Sequence, residues 1–166
     1  MSGTNALSVF EMSRRVKAPR DLVWQAWTDE GQLADWFGPH GSTMSHSRVD
    51  LRVGGTFHYR MTVPGMGVLW GIFRYQEITA PERLIYLSGF SDPEGAFARA
   101  PFADNWPLET VNVVTFTDLG DETEIILRAE PHNATAEEQQ IFAMSIPAMQ
   151  GGWSGTFERL HTYLEQ

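Results

Sequence analysis

Between Thr56 and Val63 the chain alternates without a lapse: Phe57, Tyr59, Met61 and Val63 are apolar or aromatic, while Thr56, His58, Arg60 and Thr62 are polar. Successive side chains of a β-strand point to opposite faces, so this stretch predicts a strand with one buried face and one wetter face. A sheet with a single apolar face has to be covered, and a cover is available near the end of the chain. There Phe142, Ser145, Met149, Trp153, Thr156, Leu160 and Leu164 fall near one side of a helix, with Glu137, Glu138, Gln139 and Arg159 expected to face water. A helix of about five turns is long enough to lie across a curved sheet. Pro147 and Gly151-Gly152 are its weak points. Proline removes a main-chain hydrogen bond and crowds the preceding turn, which predicts a kink or a break into two helices.

The remaining segments fit around that pair. Residues 8–17 read as a first strand, closed by Ala18-Pro19. A helix starts near Asp21 and carries Leu22, Val23, Ala26 and Trp27 at helical spacing; a second short one, opened by Asp29 or Glu30, carries Leu33, Trp36 and Phe37 and stops at Gly38-Pro39. A strand at 48–53 is expected to join Thr56–Val63 through a tight Gly54-Gly55 turn. Further strands fit 67–79, 84–90, 111–118 and 123–130. The expected class is α+β: an antiparallel sheet of about six to seven strands, two short helices after the first strand, and a long C-terminal helix.

The chain has 166 residues, which suits one domain, expected to be folded over 8–166 behind a polar leader at 1–7. Its formal net charge of -9 disfavours attraction to nucleic acid and to anionic membranes. Without cysteine it has no disulfides, thiolate nucleophile or thiolate-ligated metal. No apolar run approaches the roughly 18 residues of a membrane span, and the start of the chain lacks a signal-like apolar core, so a cytoplasmic location is expected.

Several fragments then occur in a specific order: Ala18-Pro19, Val23, Ala26-Trp27-Thr28, Leu33, Trp36 and Pro39; Asp50-Leu51-Arg52-Val53-Gly54-Gly55; Pro81-Glu82-Arg83-Leu84; and Gly152-Trp153 with Phe157, Leu160 and Leu164. This order resembles the START-like or SRPBCC superfamily and, within it, proteins similar to the C-terminal domain of the activator of the ninety-kilodalton heat-shock protein ATPase. The resemblance implies a helix-grip fold, in which a curved antiparallel sheet wraps the C-terminal helix, with an apolar cavity between them in many members. Phe157 stands where that family usually has leucine, a bulkier ring expected to shrink any cavity. A stand-alone domain of this length is also expected to lack the separate N-terminal domain through which the eukaryotic activator engages its chaperone.

Candidate ligand-binding residues follow from these placements. Trp36 and Phe37 either plug one end of the sheet or rim a cavity, and His40 is either a solvated turn residue or a polar anchor. Phe57, Tyr59 and Met61 share one strand face and line either a solid core or a cavity wall; His58 and Arg60 are expected on the solvated outer face. Phe90 leads into the stretch 91–107, long for a strand connection, where Phe97, Phe102 and Trp106 either cap the core or gate a site. Phe142, Met144, Ile146, Met149 and Trp153 are expected to face the sheet as core or as a pliable pocket wall.

Chemistry has weaker support. His40, His46, His58, His132 and His161 show neither His-x-x-x-His nor His-Glu-x-x-His spacing, and neither a Gly-x-Ser-x-Gly elbow nor a glycine-rich phosphate loop occurs. No catalytic residue, metal ligand or cofactor is therefore assigned. The leading expectation is non-catalytic binding of a small hydrophobic or aromatic ligand between sheet and C-terminal helix, by a monomer or homodimer. One alternative is a protein-interaction module or chaperone co-factor acting through an acidic surface. The other is a cyclase or hydrolase on the same scaffold, with Glu109 and Asp104 the first carboxylates to consider.

Overall fold

The alternating segments assemble into one antiparallel sheet in the computed structural model, which describes residues 9–165; the leader at 1–7 and the first position of the expected 8–17 strand lie outside them. Its strands are β1 (Phe10–Val16), β2 (Thr43–Val49), β3 (Thr56–Val63), β4 (Gly67–Thr79), β5 (Arg83–Ser91), β6 (Phe97–Ala98), β7 (Glu109–Asp118) and β8 (Thr123–His132). Seven run in the order β1-β8-β7-β5-β4-β3-β2, and β6 pairs with the end of β5 off this path. With only two residues, β6 carries no readable period, which is why the sequence predicts one strand fewer.

β1 and β2 are consecutive in the chain yet lie at opposite edges of the sheet. The crossing between them is made by α1 (Arg20–Thr28) and α2 (Glu30–Trp36). Asp29 caps α2 by accepting a hydrogen bond from the Gln32 amide at 3.0 Å. Asp21 does not cap α1; it sits in the first turn, where its charge favours the positive helix end.

The C-terminal cover is broken as the proline predicts. α3 (Ala136–Met144) and α4 (Ile146–Leu164) meet at Ser145, and Pro147 occupies the first turn of α4, where a missing N–H costs nothing. Gly151 and Gly152 remain helical. Two residues expected to face water do not. Glu138 is only 8% exposed: it closes a capping box with Thr135 and accepts a hydrogen bond from Arg99 at 2.6 Å, fastening the 91–107 stretch to α3. Arg159 is half-buried and donates to the carbonyls of Gly38 and Pro39 at 3.1 Å and to Ser42 Oγ at 2.7 Å, fastening α4 to the turn after α2.

The expected strand at 48–53 needs correction, because the β2 ladder ends at Val49. Gly54 instead donates to the Tyr75 carbonyl at 2.8 Å, and the Tyr75 amide donates to Gly55 O at 2.9 Å. The two glycines thus dock a loop onto β4 beside its register shift between Tyr75 and Glu77. A Cβ at Gly55 would overlap the Asp50 carbonyl oxygen, so close backbone approach is what requires glycine there.

The packed end of the molecule centres on Trp27, 1% exposed. Its ring lies 5.2 Å from Trp36 and 5.8 Å from Phe116, stacks on Trp153 at 6.2 Å, and meets Phe157 at 6.4 Å. Phe157 therefore fills this core and is absent from the cavity wall described next.

Candidate functional site

Away from Trp27, sheet and helices do not close on each other, and a cavity of about 210 Å³ remains. Tyr59 and Met61 of β3, Leu69 and Phe73 of β4, and Tyr86 and Phe90 of β5 form much of its sheet side. Phe142 of α3 with Met149 and Trp153 of α4 face them, and Phe37 and Trp106 complete the wall. A second space of about 260 Å³ shares Phe37, Tyr59, Met61, Phe90, Met149 and Trp153, and extends to Val63 and Met66 at the β3–β4 turn. It forms the mouth.

Small residues create the room. Gly71 pairs with Tyr59 across β3–β4 and has no side chain, so the tyrosine ring lies directly over its backbone; a Cβ there would overlap the ring. Ser88 and Ala129 keep other wall positions shallow.

Of the residues proposed from sequence, Phe37, Tyr59, Met61, Phe90, Trp106, Phe142, Met149 and Trp153 are brought together in the wall. Trp36 and Phe57 lie behind it, fully buried. Trp36 Nε1 donates to the Ala26 carbonyl at 2.8 Å, and Phe57 is wedged between Phe37 and Phe73. Phe102 braces the wall from outside, 5.4 Å from Phe90 and 6.1 Å from Trp106.

His40 is not in the cavity. Its Nε2 is 2.8 Å from Glu158 Oε1 and its ring lies against Gly155, in a polar groove with Asp35, Arg159 and Tyr163 on the outer side of α4. Two further expectations change. Met144 is 70% exposed, because the break at Ser145 takes it out of phase with the sheet-facing side of α4. His58 is half-buried rather than solvated: it hydrogen-bonds Ser91 Oγ at 3.1 Å and stacks on Trp70 at 5.0 Å.

Phe10, Leu69, Trp70, Phe73, Tyr86 and Asn112 are wall residues that sequence reasoning did not single out. Parity would have reached some of them. Tyr86, Ser88 and Phe90 alternate onto one face of β5, as Leu69, Gly71 and Phe73 do on β4, but choosing the inward parity requires the strand register.

The wall contains no aspartate, glutamate, lysine, arginine or histidine, and Glu109 and Asp104 do not contribute to it. Its polar members are chiefly hydroxyls and one amide. Asn112 Nδ2 donates to Ser88 Oγ at 2.8 Å and to the Thr110 carbonyl at 3.0 Å. The hydroxyls of Tyr86 and of Tyr75 are buried without a hydrogen-bond partner among the described residues. Burial pushes the phenols of Tyr59, Tyr75 and Tyr86 well above their ordinary value, and Tyr86 is raised further by its neighbours Tyr75 and Tyr59.

Two consequences can be measured. In the folded protein these phenols hold their protons beyond the pH, about 10, at which an unfolded chain releases them. Their contribution to stability is fully present below about pH 10 and is lost as pH rises above it, so the urea midpoint should fall between about pH 9 and about pH 11, with less of a fall in Tyr75→Phe. At neutral pH, Tyr75→Phe removes a buried hydroxyl that has no partner, and urea unfolding should show a change between zero and about 1 kcal/mol in the stabilising direction.

The profile of the family described as Activator of Hsp90 ATPase homolog 1-like protein matches residues 17–165. A solved protein from Mycobacterium smegmatis is similar over 96% of this chain and 92% of its own, at 25% identity and a TM-score of 0.77. One from Arthrobacter aurescens is similar over 96% and 87%, at 26% identity and a TM-score of 0.76. A protein from Silicibacter pomeroyi described by the same family label shares the fold at 15% identity, with 95% and 97% covered and a TM-score of 0.69. No curated protein matches the chain significantly.

Proposed function

The chain belongs to the family of activator of Hsp90 ATPase homolog 1-like proteins, and we propose that within this family it is a non-catalytic binder of a small hydrophobic or aromatic molecule. The site is the cavity between the sheet and α3–α4, reached through the mouth beside Met66 and Met149. One observation carries the proposal: an apolar, ring-lined space of about 210 Å³ persists in a domain whose other end is densely packed with aromatics. Protein interiors ordinarily leave few voids larger than a water molecule, so a space of this size needs a reason.

Desolvation supplies the driving force, on the order of 25 cal/mol per Å² of apolar surface removed from water, offset in part by the cost of immobilising the guest. Native mass spectrometry of gently purified protein should reveal a retained small molecule. A thermal-shift screen of neutral aromatic and aliphatic compounds should raise the melting temperature with some of them. Protein that emerges empty and shifts with none of them would end the proposal.

A further inference from the structure

Three polar residues of the cavity wall stand together, and strand register places them. Ser88 of β5 lies directly across from Thr110 of β7, and Tyr86 from Asn112; cross-strand partners share a face. On β7 that face is the inner one, since Asn112, Val114 and Phe116 alternate as its buried residues and Phe116 meets Trp27 in the core. Ser88, Thr110 and Asn112 all line the cavity and none borders the mouth, so this polar corner is the inner end of the site.

The asparagine amide has one orientation that fits. One of its terminal atoms lies 3.0 Å from the Thr110 carbonyl and 2.8 Å from Ser88 Oγ. A carbonyl only accepts, so that atom is Nδ2, and both of its protons are in use. Two capacities are left over. Asn112 Oδ1 has no donor among the described residues, and Ser88, whose oxygen takes an Nδ2 proton, keeps its own hydroxyl proton to give. Oδ1 is also within reach. Among the described residues, the side-chain atoms both sealed and partnerless are Trp27 Nε1 and the hydroxyls of Tyr75 and Tyr86, and Oδ1 is not one of them. Asn112 is 5% exposed on a strand flanked by β5 and β8, with its side chain on the inner face, so the opening that reaches Oδ1 is the cavity.

A hydroxyl matches this pair, because it donates and accepts at once. An ether or ketone oxygen would take the Ser88 proton and leave Oδ1 bare, and a carboxylate would set like against like in a wall that holds no counter-ion. We infer, resting on the carrier proposal above, that the cavity selects a neutral alcohol or phenol whose hydroxyl donates to Asn112 Oδ1 and accepts from Ser88, with its apolar body extending toward the mouth.

Three probes of nearly one shape test this at neutral pH, all substituted at the same ring position: naphthol, which donates and accepts; methoxynaphthalene, which only accepts; and methylnaphthalene, which does neither. Dissociation constants are read by equilibrium dialysis on the whole protein, on Asn112→Ala and on Ser88→Ala. Naphthol should bind the wild type about tenfold more tightly than methylnaphthalene, with the methoxy compound within about threefold of the latter. Asn112→Ala should bring naphthol and methylnaphthalene to within about twofold of each other without weakening methylnaphthalene, which also shows that the variant is folded with its cavity intact. Should Asn112→Ala not fold, Ser88→Ala decides: it should cut the naphthol preference by at least about threefold and leave methylnaphthalene as it was. Methoxynaphthalene binding as tightly as naphthol, or a naphthol preference that survives these substitutions, would overturn the inference. If all three probes fail while other apolar compounds stabilise the protein, the selectivity is wrong and the carrier stands; if no compound stabilises it, both fall.

Discussion

Trp27→Ala should destabilise the domain by about 3–5 kcal/mol, the range for deleting a large aromatic from a closed core, and lower its melting temperature by about 6–20 °C. Trp27 lies where α1, α2, the sheet and α4 converge, through its contacts with Trp36, Phe116, Trp153 and Phe157. The neighbouring rings come from different elements, so no single one can move in to fill the space. Its indole N–H has no partner among the described residues, and the loss is thus one of packing and not of a hydrogen bond. Urea unfolding followed by circular dichroism provides the number. A loss under about 2 kcal/mol would mean that this end of the molecule can relax around the gap, and that α4 is not gripped there.

The second large effect falls on binding and spares stability. In Gly71→Ala the new methyl group would overlap the ring of Tyr59, which has to swing away from the strand. Its way out is the shared space between cavity and mouth, which Tyr59 already borders. The obstructing atoms are the far end of a side chain, and Gly71 is not held at a positive φ, so the backbone accepts alanine. Affinity for any cavity ligand should fall by at least about tenfold, while the melting temperature changes by no more than a few degrees. An unchanged affinity would show that the guest does not use the space beside Tyr59.

How far the chain could be read in advance depended on whether a feature is local. The alternation in Thr56–Val63 and the proline break near Ser145 are local, and both appear where expected. The strand proposed at 48–53 failed for a non-local reason: Gly54 and Gly55 are engaged by Tyr75, some twenty positions away, which no turn rule contains. Glu138 and Arg159 look like ordinary solvent-facing helix residues until Arg99 and the carbonyls after α2 are brought beside them. Within the cavity, bulky rings such as Phe37, Phe142 and Trp153 were legible because they sit at predictable phases of helices or their ends. Tyr86 was not, since β5 is apolar enough on both faces that only its pairing with β4 and β7 fixes which side is inside. For His40 the turn alternative is the one the structure shows, with the side chain exposed beside Glu158; a position just after a helix end does not fix toward which side of α4 the ring turns.

The most direct measurement uses the methionines as reporters. Met61 and Met149 lie in the cavity wall, whereas Met144 is exposed on the far side of the break in the C-terminal cover. With methyl-labelled methionine and a bound aromatic compound taken from the thermal-shift screen, nuclear Overhauser effects should connect its ring protons to the methyl groups of Met61 and Met149 and leave that of Met144 silent. Contacts to Met144, or a saturated complex in which neither wall methionine senses the ring, would place the guest elsewhere and contradict the claim that the space beneath α4 is a binding site.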